Sequence, residues 1–340
     1  MLIENSFFHQ PLFWITRLGL SVLYILRDLR FRPDRTTIEN GAPILTPPPV
    51  PLRCTTGKDL PSHRYEFGAA AVGKTIYVAG GIFQPSVWLP TKRFEAYNTL
   101  TNTWESKPNL PYVVHHPGVT SDGKHLYVVG GCGIRIVPLN HTLRYNPKTN
   151  KWTELLPMPT RRGALGLAHI NGKLYAVGGA DYGKKYTTLE CYDIGSNTWK
   201  TLSPMPTPRE HLAVAVSHGK LHVLGGYNTD RFGALTTHEA YDPGTDTWTT
   251  ETPLPLRLCG FAAAAIGGSI FTFGGEQGWA VVPHVLEYDT KSKLWHRHDN
   301  LRAARYAAAS AEVDNRIHVL GGNTRMFSNE FSRHHDVFSR

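Results

Sequence analysis

The stretch Lys173-Leu-Tyr-Ala-Val-Gly-Gly179 (KLYAVGG) decides the fold, because the chain holds six copies of this pattern. The other copies read TIYVAGG, HLYVVGG, KLHVLGG, SIFTFGG and RIHVLGG. Their Gly-Gly doublets begin at residues 80, 130, 178, 225, 274 and 321, so the spacings are 50, 48, 47, 49 and 47 residues. A fixed period of this length predicts a repeat protein in which each repeat is one structural unit.

Two aromatic positions keep the same period as the doublets. A Tyr follows each of the first five doublets, a Trp comes seven residues after that Tyr, and the next doublet always begins 26 residues after the Trp. The pairs are Tyr97 and Trp104, Tyr145 and Trp152, Tyr192 and Trp199, Tyr241 and Trp248, and Tyr288 and Trp295. Each repeat holds four short β-like runs separated by Gly, Pro, Asn and Asp, which predicts four strands per repeat.

Together, the doublet, E-x-Y-D, N-T-W and P-x-P-x-x-R resemble the kelch repeat, roughly over residues 52–340. The resemblance implies an all-β fold, a six-bladed β-propeller of four-stranded kelch blades. In such a blade the doublet ends the second strand, the Tyr lies on the third strand and the Trp lies on the outer fourth strand. Stacking the sheets radially would bury faces that a lone sheet leaves exposed.

The segment GAAAVGKT (68–75) fits the P-loop pattern G-x-x-x-x-G-K-[ST], which requires a following helix. Here TIYVAGG follows, which is a strand pattern. The same place in the other repeats also holds turn-forming residues. The segment is therefore predicted to be a tight hairpin turn between two strands.

Ring closure is predicted from the same spacing. The sixth repeat ends at Arg340 with Phe338 in the Tyr position, and the residue 26 before Gly80 is Cys54. Residues 52–58 are therefore predicted to supply the missing outer strand of the last blade and to hide its edge. The alternative is a loop at 52–58 and a sixth blade of three strands.

The N-terminal residues 1–36 combine an apolar run with four arginines that follow it, at 27, 30, 32 and 35, and they are predicted to be a membrane anchor or a tail. The apolar run is short for a bilayer span, so an interfacial helix is the anchor considered. The alternatives are a helix that packs on a partner or on the propeller, and a start codon placed too early. Residues 37–51 are predicted to be a Pro-rich linker. The propeller is assigned to 52–340, with a cytoplasmic location, membrane-associated if the N-terminus anchors it.

Composition sets limits on the function. The net charge is +9, which favours acidic partners modestly, and no nucleic-acid partner is predicted. The cysteines at 54, 132, 191 and 259 lack CxxC spacing, which favours reduced thiols over disulfides or a zinc site. No metal or cofactor is predicted. The adjacent histidines 115–116 and 334–335 would point to opposite faces of a strand, so neither pair is expected to chelate a metal ion, and His296 and His298 are expected to lie on the surface.

The predicted function is a monomeric protein-interaction module that binds an acidic peptide or a partner loop. By resemblance, binding would use the loops after the doublets and the loops that enter each first strand, because Arg forms forked hydrogen bonds to carboxylates and aromatic residues add contact area. The candidate binding residues are Arg64, Trp88, His116, Arg135, Arg162, Tyr182, Arg209, His211, Arg231, Trp279 and Arg325. The alternative for the repeat-defining arginines is that they brace neighbouring loops.

An enzyme is not the favoured interpretation, and no catalytic residue is assigned. One alternative stays open, because the sialic acid mutarotases (N-acetylneuraminate epimerases) resemble this chain as six-bladed kelch propellers. The resemblance would give Glu210 or Glu276 an acid–base role. These enzymes are exported and carry long inserted loops, which this chain does not match.

Overall fold

The computed structural model describes residues 45–84, 89–228, 233–278, 280–326 and 331–340. These residues form six four-stranded antiparallel sheets, so the predicted six-bladed propeller is confirmed. Each doublet follows the second strand of its blade, as predicted. We number the blades 1 to 6 in the order of their doublets.

Every repeat contributes its strands in the same order. The closing strand and blade 1 comprise β1 (Arg53–Thr56), β2 (Gly68–Val72), β3 (Thr75–Ala79), β4 (Ile82–Gln84), β5 (Leu89–Pro90), β6 (Phe94–Asn98) and β7 (Thr103–Ser106). Blade 2 comprises β8 (Gly118–Ser121), β9 (Leu126–Val129), the 3₁₀ turn Ile134–Ile136, β10 (Thr142–Asn146) and β11 (Lys151–Leu155). Blade 3 comprises β12 (Gly166–Ile170), β13 (Lys173–Val177), β14 (Ala180–Asp181), β15 (Lys184–Lys185), β16 (Leu189–Asp193) and β17 (Thr198–Thr201).

The second half of the ring repeats this arrangement. Blade 4 comprises β18 (Ala213–Ser217), β19 (Lys220–Leu224), β20 (Tyr227–Asn228), β21 (Gly233–Ala234), β22 (His238–Asp242) and β23 (Thr247–Thr250). Blade 5 comprises β24 (Ala262–Ile266), β25 (Ser269–Phe273), β26 (Glu276–Gln277), β27 (Ala280–Val281), β28 (Val285–Asp289) and β29 (Leu294–His298). Blade 6 comprises β30 (Ala309–Val313), β31 (Arg316–Leu320) and β32 (His335–Ser339).

The first strand of each blade lies nearest the axis. The innermost strands β2, β8, β12, β18, β24 and β30 contact one another from blade to blade around the whole circle. The pairs β4–β5, β14–β15, β20–β21 and β26–β27 are short hairpins in the loops that follow the doublets. The hydrophobic core lies between neighbouring sheets, because each buried cluster joins apolar residues of adjacent blades, as Tyr127 of blade 2 and Leu174 of blade 3 do.

The ring closes as the spacing predicts. Blade 6 has the strand order β1-β32-β31-β30, so the N-terminal strand β1 is its outermost strand. Cys54 pairs with Phe338 across β1 and β32, just as Trp152 pairs with Tyr145 in blade 2. The outer edge of β32 is thereby covered by a strand from the other end of the chain. The three-stranded alternative for blade 6 is wrong.

The doublets are glycines because the next blade approaches their backbone. The second glycine of each doublet donates its N–H to a carbonyl in the loop that enters the following blade, and Gly81 bonds to Val114 in this way at 2.8 Å. A Cβ on Gly80 would stand 2.4 Å from that same carbonyl oxygen, and Gly80 has φ of 69°. Any side chain at this position would force the two blades apart.

The repeated aromatic pair joins each blade to its neighbour. The Tyr and Trp rings of one blade lie side by side, with centroids 5.1 Å apart for Tyr145 and Trp152. The Trp152 indole donates Nε1–H to the carbonyl of Pro108 in the preceding blade at 2.9 Å. In blade 1, Trp104 makes the equivalent bond to Lys58, which follows the closing strand. The aromatic positions therefore supply both buried area and an inter-blade hydrogen bond.

Residues 45–52 lie along the outer strand of blade 5. The Thr46 hydroxyl is 2.8 Å from Nδ1 of His296, and the Leu52 N–H donates to Nδ1 of His298 at 3.2 Å. His298 also lies 2.7 Å from Glu287. Both histidines are buried. The expectation that they lie on the surface is wrong, because the repeat pattern carries no information about the segment that covers this strand.

Two pairs of histidines are buried inside blades 4 and 6. His222 and His238 have ring nitrogens 3.0 Å apart, and His318 and His335 have ring nitrogens 2.7 Å apart. Burial lowers the pKa of all four imidazoles, to about 4 for His222 and His335 and to about 3 for His238 and His318. The folded protein therefore holds these four side chains neutral at pH 7.

The P-loop-like segment is a β-hairpin. Gly68–Val72 and Thr75–Ala79 are the paired strands β2 and β3, and Val72 pairs with Thr75 across the turn. A strand follows Lys74 where a nucleotide-binding loop would require a helix, so the hairpin prediction is confirmed. The prediction for residues 1–36 lies outside the described residues. Within the described part of the chain, none of the helical segments has the length and apolar character needed to cross a bilayer.

Candidate functional site

Two sets of loops lie side by side at one end of the propeller. We call the loops that lead into each innermost strand the entering loops, and the loops after the doublets the doublet loops. An isolated β-bridge joins the two sets in every blade: Tyr65 with Ile82, His115 with Cys132, Gly163 with Ala180, Glu210 with Tyr227, Cys259 with Glu276, and Tyr306 with Asn323. The loops that the sequence analysis assigned to one face are therefore adjacent, and we call this end the loop face.

A closed ring of six backbone hydrogen bonds surrounds the channel at this face. The six ring positions lie 14 residues before their doublets and are occupied by Glu66, His116, Ala164, His211, Gly260 and Ala307. Each of these residues donates its N–H to the carbonyl of the ring residue in the preceding blade, at N···O distances of 2.6–3.1 Å. All six have positive φ, between 50° and 59°. Hydrogen bonds between all six blades therefore fix the backbone at the channel mouth.

The ring residues line a pocket of about 100 Å³ at the centre of the face. The next residue of each entering loop is apolar and also lines the pocket: Phe67, Pro117, Leu165, Leu212, Phe261 and Ala308. Ala164, Gly260 and Ala307 carry small or absent side chains, so they leave space beside the polar side chains of the ring. Polar side chains occupy the other three ring positions.

Glu66, His116 and His211 form a polar cluster at the pocket. The Glu66 carboxylate lies between the two imidazoles, with Oε2 at 3.1 Å from Nε2 of His116 and Oε1 at 3.8 Å from Nε2 of His211. The two imidazole rings meet edge to face, with centroids 4.9 Å apart. One nitrogen or oxygen atom from each residue lies within 4.8 Å of the others. Three blades therefore bring a carboxylate and two imidazoles together.

Neighbouring polar residues lie on the Nδ1 side of the two imidazoles. His115 and His116 form a close contact between their Nδ1 atoms. Nδ1 of His211 lies 3.8 Å from the carboxylate of Glu210, which in turn forms an ion pair with Lys185. The expectation that adjacent histidines point apart fails at 115–116, because these residues lie in an entering loop in which His116 has φ of 54°.

The cluster stabilises the carboxylate as an anion. Burial alone would raise the pKa of Glu66, but the charge and hydrogen bond of His116 and the charge of His211 outweigh it and hold the pKa at about 2. Burial alone would lower the pKa of His211, but the carboxylates of Glu66, Glu210 and Glu276 raise it. Burial and the neighbouring His116 lower the pKa of His115 to about 3. Glu66 is therefore ionised and His115 neutral at pH 7.

Cys259, in the entering loop of blade 5, is not an activated nucleophile. The Cys259 sulfur lies 3.1 Å from Oε1 of Glu276. Burial, followed by the charge of Glu276, raises the pKa of the Cys259 thiol, and burial raises the pKa of Glu276 as well. All four cysteines are free, as predicted, and a protonated thiol has little nucleophilic reactivity.

Four arginines of the entering loops are fully buried. Each forms an ion pair with an acid two residues before the Tyr position of its own blade: Arg64 with Glu95, Arg162 with Glu190, Arg209 with Glu239, and Arg305 with Asp336. The guanidinium groups also donate to backbone carbonyls, as Arg209 does to Val223 at 3.2 Å. These contacts match the alternative that such arginines brace the loops.

Blades 2 and 5 have uncharged residues at the positions of the arginine and of its acidic partner. Val114 and Leu143 occupy the arginine and acid positions in blade 2, and Leu258 and Leu286 occupy them in blade 5. Each pair packs within one apolar cluster. Arginine and acid are therefore present together or absent together, which is what a structural ion pair requires.

Comparison with known proteins places the fold in a family. Residues 126–340, well over half of the chain, match the family described as Attractin/LZTR1 beta-propeller, and residues 63–111 match the Kelch motif. The chain belongs to the Attractin/LZTR1 beta-propeller family. The predicted kelch resemblance is thereby confirmed.

Curated relatives of this propeller align over part of their length. Kelch-like protein 40 of Mus musculus is 32% identical over 135 residues, which are 40% of this chain and 22% of the relative. Kelch-like protein 25 of Xenopus tropicalis is 33% identical over 146 residues, 40% of this chain and 24% of the relative. Kelch-like protein 23 of Homo sapiens is 33% identical over 121 residues, which are 35% of this chain and 21% of the relative. The chain thus spans less than a quarter of these relatives.

The remaining predicted binding residues of this Attractin/LZTR1-type propeller fall into two described groups and a third set that the structure does not describe. Arg135, Tyr182 and Arg325 are exposed on doublet loops, and His116 and His211 are the ring residues described above. Trp88, Arg231 and Trp279 lie outside the described residues. The structure therefore brings His116 and His211 together at the channel, leaves Arg135 and Tyr182 exposed on the doublet loops of blades 2 and 3, and buries the repeat arginines.

Sequence reasoning missed Glu66. A signal was present, because Glu66, His116 and His211 each lie 14 residues before a doublet. Equivalent positions in a closed propeller meet around the axis, so comparing the repeats position by position would have placed these three residues together. Spacing along the chain alone does not bring these three residues together.

Proposed function

We propose that this propeller binds an acidic segment of a partner protein through its loop face. The propeller fold and the kelch-like relatives support a protein-interaction module in general. None of the comparisons supports the sialic acid mutarotase alternative. The surface and the partner's chemistry are the parts that we add, and they rest on the exposed loops of blades 2 and 3.

The observation that carries the proposal is an exposed apolar ridge beside basic residues. Ile134 and Ile136 are 60% and 54% exposed, and Tyr182 is 75% exposed. Arg135 lies between the two isoleucines and is also exposed. Exposed aromatic, aliphatic and arginine side chains on neighbouring loops are typical of an interface.

The backbone presents these side chains in an uncommon conformation. Arg135 and Ile136 have φ of 59° and 60°, and Tyr182 has φ of 41°. A positive φ is costly for a β-branched residue such as Ile136, and such conformations concentrate at binding sites. The surrounding loop holds them in place, since Gly133 donates to the carbonyl of Val137 at 2.8 Å.

Backbone hydrogen bonds make the loops of blades 2 and 3 one continuous surface. Arg162 donates its N–H to the Leu139 carbonyl in the doublet loop of blade 2, and Gly163 pairs with Ala180 in the doublet loop of blade 3. The exposed Arg161 precedes both contacts and therefore lies between the two loops. Arg135 and Lys184 are also exposed on these loops. Such a set of basic side chains suits a segment that carries Asp or Glu beside an apolar residue.

The test compares two charge reversals of equal size in the full chain. The double variant Arg135→Glu/Arg161→Glu changes the loop face, while Lys124→Glu/Lys148→Glu changes exposed turns at the opposite end of blade 2. Each tagged protein is used to capture partners from extracts of its source, and captured proteins are quantified by mass spectrometry. We expect one or more proteins to be retained by wild type and by the opposite-end variant and lost with the loop-face variant.

A captured partner is then reduced to peptides, and binding is measured by fluorescence anisotropy. The proposal predicts that the binding peptide is acidic and that replacing its Asp and Glu by Asn and Gln weakens binding at least about tenfold, which is the loss of one or two charge-assisted hydrogen bonds. Equal loss of capture with both double variants, or a binding peptide without acidic residues, would contradict the proposal.

A further inference from the structure

We propose that Glu66, His116 and His211 bind one divalent transition-metal ion at the mouth of the channel, with Zn²⁺ as the best-fitting ion. The site is independent of the proposed protein-binding surface, because its three side chains face the central pocket and not the exposed ridge of blades 2 and 3. It gives this propeller a metal centre that sits on its axis.

The ligand set fits such an ion. Two imidazole nitrogens and one carboxylate oxygen are the donors found in three-ligand zinc sites and in the facial triads of other transition metals. The Nε2 atom of each imidazole faces the Glu66 carboxylate, at 3.1 Å for His116 and 3.8 Å for His211. Ligand atoms around a tetrahedral Zn²⁺ are about 3.4 Å apart when metal–ligand distances are near 2.1 Å. Small movements of the side chains would therefore complete the geometry.

The fold holds the three ligands before a metal arrives. Glu66, His116 and His211 belong to blades 1, 2 and 4, and the closed ring of backbone hydrogen bonds fixes all three at positive φ. Residues in separate loops usually lose conformational freedom when a metal gathers them. In this propeller the loops lose that conformational freedom when the protein folds, so more of the free energy of metal–ligand binding contributes to affinity.

A second layer of residues orients the imidazoles for metal binding. Nδ1 of His116 contacts Nδ1 of His115, and Nδ1 of His211 faces the Glu210 carboxylate at 3.8 Å. A metal-binding histidine commonly uses one ring nitrogen for the ion and the other for a nearby polar group, which fixes the ring and its tautomer. His116 has its Nδ1 atom in contact with a polar group, Nδ1 of His211 lies within ion-pair range of one, and both histidines direct Nε2 toward the cluster.

The pocket also provides open coordination positions. Its volume of about 100 Å³ is enough to hold water beside the cluster. The ring positions without long side chains, Ala164, Gly260 and Ala307, leave this space beside the cluster. A bound Zn²⁺ would therefore carry water as its remaining ligand. The single carboxylate excludes a good fit to Ca²⁺ or Mg²⁺, which require several oxygen ligands.

The alternative is a hydrogen-bonded triad that binds no metal, in which protonated histidine neutralises Glu66. The two interpretations differ in a direct measurement. Full-length protein is stripped with a chelator, which is then removed, and is titrated with ZnCl₂ by isothermal calorimetry at pH 7.5. The variants are Glu66→Gln, His116→Ala and His211→Ala. The matched control is His218→Ala, which removes an exposed histidine at the opposite end of blade 4.

We expect one Zn²⁺ per chain for wild type and for His218→Ala. Each ligand variant should weaken binding by more than about 100-fold, because losing even an outer partner of a metal ligand costs roughly 10–100-fold. Glu66→Gln keeps the size of the side chain, and circular dichroism checks that each variant is folded. MgCl₂ and CaCl₂ should produce no binding heat.

Thermal unfolding gives a second readout. Excess ZnCl₂ should raise the Tm of wild type and of His218→Ala and leave the Tm of Glu66→Gln unchanged, because a ligand stabilises only the state that binds it. The proposal is overturned if wild type binds no Zn²⁺ at millimolar concentration, or if folded Glu66→Gln binds Zn²⁺ as tightly as wild type does.

Discussion

The buried pair Arg209–Glu239 allows a quantitative test of what the repeat arginines do. The Arg209 guanidinium lies 2.6 Å from Oε2 of Glu239, and Oε1 accepts a hydrogen bond from Thr207 at 2.7 Å. Arg209 is fully buried and Glu239 nearly so. If the arginine braces the entering loop, removing one charge should leave the other buried without its partner.

The magnitudes follow from that burial. Arg209→Leu or Glu239→Leu alone should lower the free energy of unfolding by about 3–5 kcal/mol, the usual cost of an uncompensated buried charge. The double variant Arg209→Leu/Glu239→Leu should recover most of this loss, because an apolar pair often replaces a buried ion pair at little cost. Blade 5 already has Leu258 and Leu286 at these two positions, both fully buried.

Urea denaturation followed by tryptophan fluorescence measures all four proteins of this double-mutant cycle. The expected coupling energy between the two sites is at least about 3 kcal/mol, far above the roughly 0.3–0.5 kcal/mol within which independent mutations add. Losses that simply add in the double variant would refute the bracing role. Singles that unfold like wild type would refute it as well, and would return Arg209 to the predicted binding residues.

Two further predictions concern stability. Deleting residues 45–60 removes β1, uncovers the edge of β32 and removes the fully buried Leu60. The loss of Leu60 packing alone costs about 2–5 kcal/mol. A thermal melt identical to that of the full chain would therefore contradict ring closure. The two buried histidine pairs predict acid sensitivity. The unfolded chain protonates these histidines below about pH 6.5, whereas the folded chain protonates them only near pH 3–4. As the pH falls below about 6.5, the free energy of unfolding should therefore fall by about 1.4 kcal/mol per pH unit for each imidazole that stays neutral in the folded protein. The double variant His222→Tyr/His238→Leu introduces the residues found at the equivalent positions of blade 3, Tyr175 and Leu189. It should make the free energy of unfolding less dependent on pH, as measured by urea titrations from pH 7 to pH 5. An unchanged pH dependence would show that the pair His222–His238 does not cause it.

The fold could be predicted because the repeat marks are tied to backbone geometry. The doublet must be Gly-Gly where the next blade's carbonyl stands 2.4 Å from a would-be Cβ, as at Gly80. The constant interval from Trp to doublet places Cys54 opposite Phe338, which the strand register confirms. Local constraints of this kind are visible in a single sequence, because every repeat must satisfy them separately.

The site could be predicted only in part. An exposed arginine such as Arg135 and a buried one such as Arg162 look alike in sequence, and burial depends on an acid about 30 residues away. The acid in E-x-Y-D could have signalled the ion pair, since blades without the arginine also lack that acid. Glu66 was missed because its partners lie in other repeats, where only the closed ring brings them together. The location of His296 and His298 depends on residues 45–52, which belong to no repeat.

Site-specific photo-crosslinking tests the central claim, binding at the loop face, most directly. A photoreactive amino acid replaces Ile136 in one full-length protein and Lys148, at the opposite end of the same blade, in another, and crosslinked partners are identified by mass spectrometry after irradiation of living cells. The account predicts a partner crosslinked from position 136 within or beside an acidic segment, and absent from position 148. The same partner crosslinked equally from both positions, or only from position 148, would contradict it.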